Sequence, residues 1–220
     1  MFETRGSVAA LAIVLLVSLG GAAGPAPAAE VGPFAFKAPA PGTLLVYSDG
    51  FQIAFGATSG RVTKALAGPK SAPRGARIEI EDGFLMRRIE RGRRLVTSAN
   101  SIEKPGFWPL TPGATQRFRM EVAVDGTTRQ RRRGVARIAK AVTALSLAGK
   151  TRRVLKVETD IRWPARDGGE RRVTITYFHD LDLGYYVKRI YTRYGPEGRP
   201  RTPTVRELAR VGRASGAPKR

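Results

Sequence analysis

A chain of 220 residues is one ordinary domain plus extensions, long enough to bury a core. Its formal net charge of +21, from 39 Lys and Arg against 18 Asp and Glu, exceeds what solubility requires and points to an anionic partner or surface; much of it is Arg, whose planar fork grips phosphate and carboxylate pairwise. The absence of cysteine excludes disulfides, thiolate metal sites and a lipid-modified N-terminal Cys, so stability has to come from packing.

Residues 1–29 have the form of a secretory signal peptide: Arg5 near the start, an apolar run from Val8 to Leu19, and a small-residue exit at Ala26-Pro27-Ala28-Ala29. The run is 12 residues, well short of the roughly 20 that a membrane span needs. Cleavage between about Ala23 and Ala29 would leave the net charge unchanged, because the signal holds only Glu3 and Arg5. Residues 30–42 are a Pro- and Ala-rich linker without a period long enough for an element.

From there period-2 patterns dominate. Thr43–Ser48 and Phe51–Phe55 flank Asp49-Gly50, a strong hairpin signal, and a loop with Gly, Ala and Pro covers Gly68–Gly75. Arg77–Glu81 and Phe84–Arg91 are joined by Asp82-Gly83, and Arg93–Ser98 follows. Phe107-Trp108-Pro109-Leu110 with Pro112-Gly113 reads as an aromatic corner, since two nearby prolines remove ladder donors. Phe118, Met120, Val122 and Val124 then alternate with charged residues, turn at Asp125-Gly126 and return through Thr127–Arg133.

In 135–147, Val135, Ile138, Val142 and Leu145 have helical spacing while Leu145 and Leu147 alternate as in a strand. The neighbouring strands and the lack of an N-cap residue favour a strand over Ala141–Leu147. Arg153–Trp163 puts Leu155, Val157, Ile161 and Trp163 on one face, and Asp167-Gly168-Gly169 turns the chain into its most ordered stretch, Arg171–Tyr194. There Val173, Ile175 and Tyr177 alternate with polar residues, Asp180, Asp182 and Gly184 suit a reversal, and Tyr185, Val187 and Tyr191 run back. Residues 195–220, rich in Gly, Pro and Arg, read as a disordered basic tail in which Val205–Val211 is at best a two-turn helix. The expectation is an all-β domain over 43–194, built from antiparallel hairpins.

The order of Pro41-Gly42-Thr43, Trp108-Pro109-Leu110 with Gly113, Ala148-Gly149, and Leu183-Gly184-Tyr185-Tyr186-Val187-Lys188-Arg189 resembles the β-rich exported bacterial domains of unknown function, over about residues 42–194. That resemblance implies a curved antiparallel sheet or open barrel, structural roles for these motif residues, and no catalytic residues. The heavy Arg loading and the basic tail depart from it.

Chemistry-bearing clusters have plain structural explanations. His179 with Asp180 and Asp182 could hold a metal or a proton, but on a strand His179 points away from both, and turns favour Asp for backbone reasons. Glu79 with Glu81, and Glu158 with Asp160, resemble paired glycosidase carboxylates, yet among this many arginines they suit a cross-strand ion-pair ladder. Neither a metal nor a cofactor is expected. The clusters that exceed these explanations are arginines: Arg87, Arg88, Arg91, Arg93 and Arg94; Arg129 with Arg131, Arg132 and Arg133; and Arg171 with Arg172. Three successive arginines at 131–133 project to both sides of a strand, which suits an exposed ribbon meeting a polyanion.

Export removes nucleic acid as the first choice and leaves lipid headgroups, lipopolysaccharide and wall polymers. The expected function is therefore that of a non-enzymatic periplasmic or secreted envelope protein binding an anionic envelope component. The rivals are a wall-directed hydrolase using the paired carboxylates and an exported nucleic-acid binder. Intact-mass analysis of the extracytoplasmic fraction should find the protein short of about 23 to 28 N-terminal residues; full-length protein confined to the cytosol would contradict export and restore nucleic acid to first place.

Overall fold

Apolar residues at every second position, broken at short intervals by residues that tolerate a reversal, leave the chain little option but strands. The computed structural model describes residues 32–69, 76–81, 83, 85–89, 95–102, 108–124, 127–165 and 168–214. Among them are thirteen strands and no helix: β1 (Thr43–Tyr47), β2 (Phe51–Ser59), β3 (Val62–Pro69), β4 (Ala76–Glu81), β5 (Leu85–Ile89), β6 (Leu95–Ile102) and β7 (Thr115–Val124), followed by β8 (Thr127–Ile138), β9 (Thr143–Leu147), β10 (Lys150–Pro164), β11 (Glu170–Asp180), β12 (Tyr185–Arg193) and β13 (Thr204–Arg213).

All pairings are antiparallel and belong to one sheet, in the order β11-β12-β13-β1-β2-β3-β4-β5-β6-β7-β8-β10-β9. The long strand β10 pairs with β9 over its first part and with β8 over its second, while its other edge pairs with β11. This brings the two ends of the strand order together and curves the sheet into an open barrel. Among the described residues β5 and β6 match at Arg88 with Val96 and Ile89 with Leu95.

Two apolar clusters fill the fold. One gathers Leu45, Tyr47, Ile53, Phe55, Ile78, Ile80, Val187 and Leu208 from β1, β2, β4, β12 and β13. The other gathers Leu110, Phe118, Ala136, Leu155, Val157 and Ile161, chiefly from β7, β8 and β10. Tyr177 packs against both. Gly134 lies directly opposite Phe118, and a Cβ there would collide with the Phe118 ring, so the glycine makes the space in which the ring lies over the neighbouring strand.

The motif stretch Leu183–Arg189 packs into the fold. Tyr185, Tyr186 and Val187 are buried. Tyr185 meets Phe55 edge-on, with centroids 5.0 Å apart, and Tyr47 Oη donates to the Tyr186 carbonyl at 2.8 Å. Lys188 Nζ reaches Glu207 at 2.6 Å, and Arg189 lies beside the Tyr186 ring. Gly184 has φ +78°, and a Cβ on it would strike the Lys37 carbonyl. Both conditions require glycine.

Asp180 organises the reversal before this motif. Its Oδ1 accepts the backbone N–H groups of Asp182 and Leu183, each at 2.9 Å, and its Oδ2 accepts Arg152 NH1 at 2.9 Å. Side-chain exposures of 8% for Arg152 and 2% for Asp180 make this a buried ion pair, whereas Arg131 and Glu121, 82% and 43% exposed, form a surface one. His179 is fully buried, edge-on to Trp108 with centroids 5.1 Å apart. Burial lowers its pKa to about 3, against a smaller opposing pull from Asp180.

Several expectations change. The predicted disordered tail contains β13, which fills the gap between β12 and β1, with Lys188 to Tyr191 opposite Glu207 to Thr204 and Thr43 opposite Arg213. Local composition hid it because a strand's hydrogen-bond partners are remote in sequence, and residues 215–220 lie outside the described residues. The linker is tied to the fold at alternate residues: Phe34 exchanges backbone hydrogen bonds with Leu110 at 2.9 and 3.0 Å, and the Phe36 ring lies against Trp108. β3 was missed, since Thr63, Ala65 and Ala67 face the core as small residues with a weak apolar signal. The ambiguous 135–147 resolves into the end of β8 and the separate strand β9. The signal region lies outside the described residues.

Replacing Asp180 by Ala strands Arg152 and uncaps the turn, and should lower stability by about 3–5 kcal/mol in chemical denaturation. Glu121→Ala at the surface pair should cost less than about 1 kcal/mol. His179 sets an acid limit of its own. Its folded pKa lies below the unfolded value near 6.5, so its neutral burial is fully tolerated above that value and costs stability as pH falls toward about 3. A His179→Leu variant should show a shallower loss of stability over that window than the wild type; an unchanged slope would mean that His179 remains neutral in the unfolded chain or titrates equally in both states.

Candidate anion-binding cleft

The predicted arginine clusters divide by position. Arg91, Arg93 and Arg94 lie outside the described residues, and Arg87 and Arg88 on β5 and Arg129 on β8 are described by backbone alone. Arg131, Arg132, Arg133, Arg171 and Arg172 are brought together, because β8, β10 and β11 run side by side with Arg133 opposite Arg162, Arg162 opposite Arg172, and Trp163 opposite Arg171. Strand alternation sends Arg131 and Arg133 outward and turns Arg132 to the other face, where it is half-buried.

Beside the β10–β11 turn and the segment that leaves β12, a cleft of about 670 Å³ opens. Among the described residues its charged lining is Arg132, Arg171, Arg172, Arg193 and Arg201 against Glu170, with Trp163, Tyr191 and Tyr194 between them. This size is ordinary for a ligand site.

Each aromatic ring carries a guanidinium. Arg132 lies 4.4 Å from the Trp163 centroid, Arg172 4.3 Å from that of Tyr194 and Arg193 5.5 Å from that of Tyr191. Arg132 also donates from Nε to Gln130 Oε1 at 2.8 Å, and Arg193 from Nε to Tyr191 Oη at 3.3 Å. Stacking on a ring orients a guanidinium without neutralising it. Burial lowers the Arg132 pKa, with Tyr191 opposing, so this cation is held partly desolvated.

The nearby carboxylates Asp160 and Glu170 are engaged by arginines. Asp160 takes a bidentate pair from Arg172, Nε to Oδ1 at 3.0 Å and NH2 to Oδ2 at 2.9 Å, and a looser contact from Arg162. Partial burial pushes the Asp160 pKa up, but the hydrogen bonds from Arg172 and Arg162 outweigh it and hold the carboxyl below its usual range. Glu170 accepts Arg133 NH2 at 2.6 Å and Arg162 NH1 at 3.3 Å, and the Arg133 hydrogen bond leads in lowering its pKa. Among the described residues, Arg132, Arg171, Arg193 and Arg201 have no carboxylate partner.

The arrangement can therefore receive a negatively charged group among several oriented, unneutralised cations. Glu158 and Asp160, on one strand face, are bound to Lys156 and to the arginines, as in an ion-pair ladder. Among the described residues no three His, Asp or Glu side chains are grouped so as to hold a metal ion. His179, Asp180 and Asp182 do not converge: the imidazole lies in the core while Asp180 serves Arg152 and the turn.

Sequence reasoning missed Arg193, Arg201, Trp163, Tyr191 and Tyr194. A usable signal existed for one of them. Counting outward from the Asp167-Gly168-Gly169 turn places Pro164 opposite Glu170 and Trp163 opposite Arg171. Arg201 lay in the stretch taken for a tail.

No protein-family model matches the sequence, and no curated protein matches it. A solved structure, that of the hypothetical lipoprotein YmcC from Escherichia coli K12, is similar to this chain with a TM-score of 0.47 and 10% identity, over 84% of this chain and 90% of that one.

Proposed function

We propose that this is a non-enzymatic protein of the bacterial cell envelope, exported by its N-terminal signal, whose arginine cleft binds an anionic envelope component: a lipid headgroup, lipopolysaccharide or wall polymer. The observation that carries the reading is the set of Arg132, Arg171, Arg193 and Arg201, which share one cleft and have no carboxylate partner among the described residues. Unneutralised cations at this spacing repel one another, and an anion arriving from solution relieves that repulsion. Because Arg132 and Arg193 are already oriented on rings, little ordering entropy is lost when the anion binds. Of the carboxylate pairs behind the hydrolase alternative, Glu158 and Asp160 are engaged by cations, while Glu79 and Glu81 stand on one face of β4.

Binding to phosphatidylglycerol vesicles and to lipopolysaccharide should be strong at low salt and fall steeply toward physiological salt, where the screening length is about 8 Å. Neutral vesicles should bind little. Replacing Arg132 and Arg193 together by Ala removes two cations worth about 1 kcal/mol each at an anionic surface, a loss of roughly tenfold or more in affinity. Wild-type binding by a folded double variant at every salt concentration would exclude the cleft as the anion site.

A further inference from the structure

The outer face of the wall beside the cleft carries a second arrangement. Arg119 on β7 lies opposite Arg133 on β8, Arg133 opposite Arg162 on β10, and Arg162 opposite Arg172 on β11. Residues directly paired across strands share a sheet face, so four arginines stand in register across four neighbouring strands. At about 4.8 Å per strand the row is roughly 14 Å long. Arg172 lines the cleft at its near end, and Arg119 and Arg133 flank a shallow depression of about 480 Å³ at the far end.

Like charges directly opposite one another destabilise a sheet, and here three successive strand pairs place them so. Two carboxylates brace the row: Glu170 serves Arg133 and Arg162, and Asp160 serves Arg162 and Arg172. Four cations against two anions leave the row positive, and Arg119 has no carboxylate partner among the described residues.

We propose that this row is a track for a linear acidic polysaccharide, which crosses the strands, meets about one arginine per strand and continues into the cleft. The inference rests on the anion-binding reading of the cleft and names its ligand class. Regular spacing in one line suits a chain with regularly repeated charges, whereas a bilayer surface reads total charge and not register. Single-stranded nucleic acid is bound by stacking bases on bare aromatic rings. Here Trp163, Tyr191 and Tyr194 are each already stacked by an arginine, so recognition falls to charge and spacing.

The test compares galacturonic acid, short oligogalacturonides and long polygalacturonate as probes, with inorganic phosphate for the cleft alone and single-stranded DNA of matched charge as competitor. Affinity should climb with chain length until the row is spanned. Arg119→Ser, an exposed change outside the cleft, should weaken long-chain binding severalfold and leave phosphate and the monosaccharide unaffected. Asp160→Asn should lower thermal stability and at the same time raise long-chain affinity, because it frees Arg162 and Arg172; a purely structural lattice would lose stability without that gain. Affinity independent of length, or insensitive to Arg119→Ser, would overturn the track while phosphate binding lost on Arg132→Ala upholds the cleft. Tighter binding of the DNA than of polygalacturonate would overturn it in favour of nucleic acid. Failure of every anion to bind would overturn the track together with the cleft.

Discussion

The buried pair between Arg152 and Asp180 is the contact on which the rest of the architecture depends. Two ions out of water at this depth are tolerable only if the remaining polar atoms are also satisfied. Arg152 turns its Nε toward the Leu147 carbonyl at 3.3 Å, and the second Asp180 oxygen holds the backbone of the closing turn. One pair thus joins the β9–β10 hairpin to the β11–β12 reversal. With that reversal fixed, β11 lies along β10 in one register for eleven residue pairs, from Val154 with Asp180 to Pro164 with Glu170. The far end of the same ladder is the rim of the arginine cleft, where the β10–β11 turn places Trp163 opposite Arg171 and Pro164 opposite Glu170.

The cleft is organised differently from the core. Its arginines are positioned mainly by rings and by neutral acceptors such as Gln130, which orient a guanidinium without cancelling its charge. On the outer wall two carboxylates offset part of the charge, Glu170 between Arg133 and Arg162 and Asp160 between Arg162 and Arg172. The two surfaces meet at Arg172, which is paired to Asp160 and stacked on Tyr194. Part of the high net charge is thus gathered into arrays with definite geometry, which gives an anion more than a diffuse positive surface to meet.

Part of this organisation is legible in the chain itself. Alternation of apolar and charged residues marks most of the strands, Asp-Gly pairs mark hairpin turns, and Asp180 and Gly184 announce the closing reversal, because the side chains and backbone torsions involved act within a few residues. The inward placement of Tyr185 and Val187 fits their alternation along the strand, whereas the burial of Tyr186 between them does not follow from it.

Everything that needed a remote partner was decided by the tertiary structure. β13 exists because β12 and β1 leave a gap with unpaired backbone on both sides, a condition that no window around Thr204–Arg213 contains. Arg131, Arg132 and Arg133 are equivalent by composition, yet the pleat sends the outer two to solvent and the middle one onto Trp163, thirty-one residues along the chain. The four-arginine row is likewise invisible in the sequence, where its members lie far apart; it arises from the registers of three strand pairs. Charge, turn chemistry and strand content are properties of short segments and were determined by the sequence by itself. Which charges face one another is a property of register, and register is settled only when the sheet curves and its ends meet.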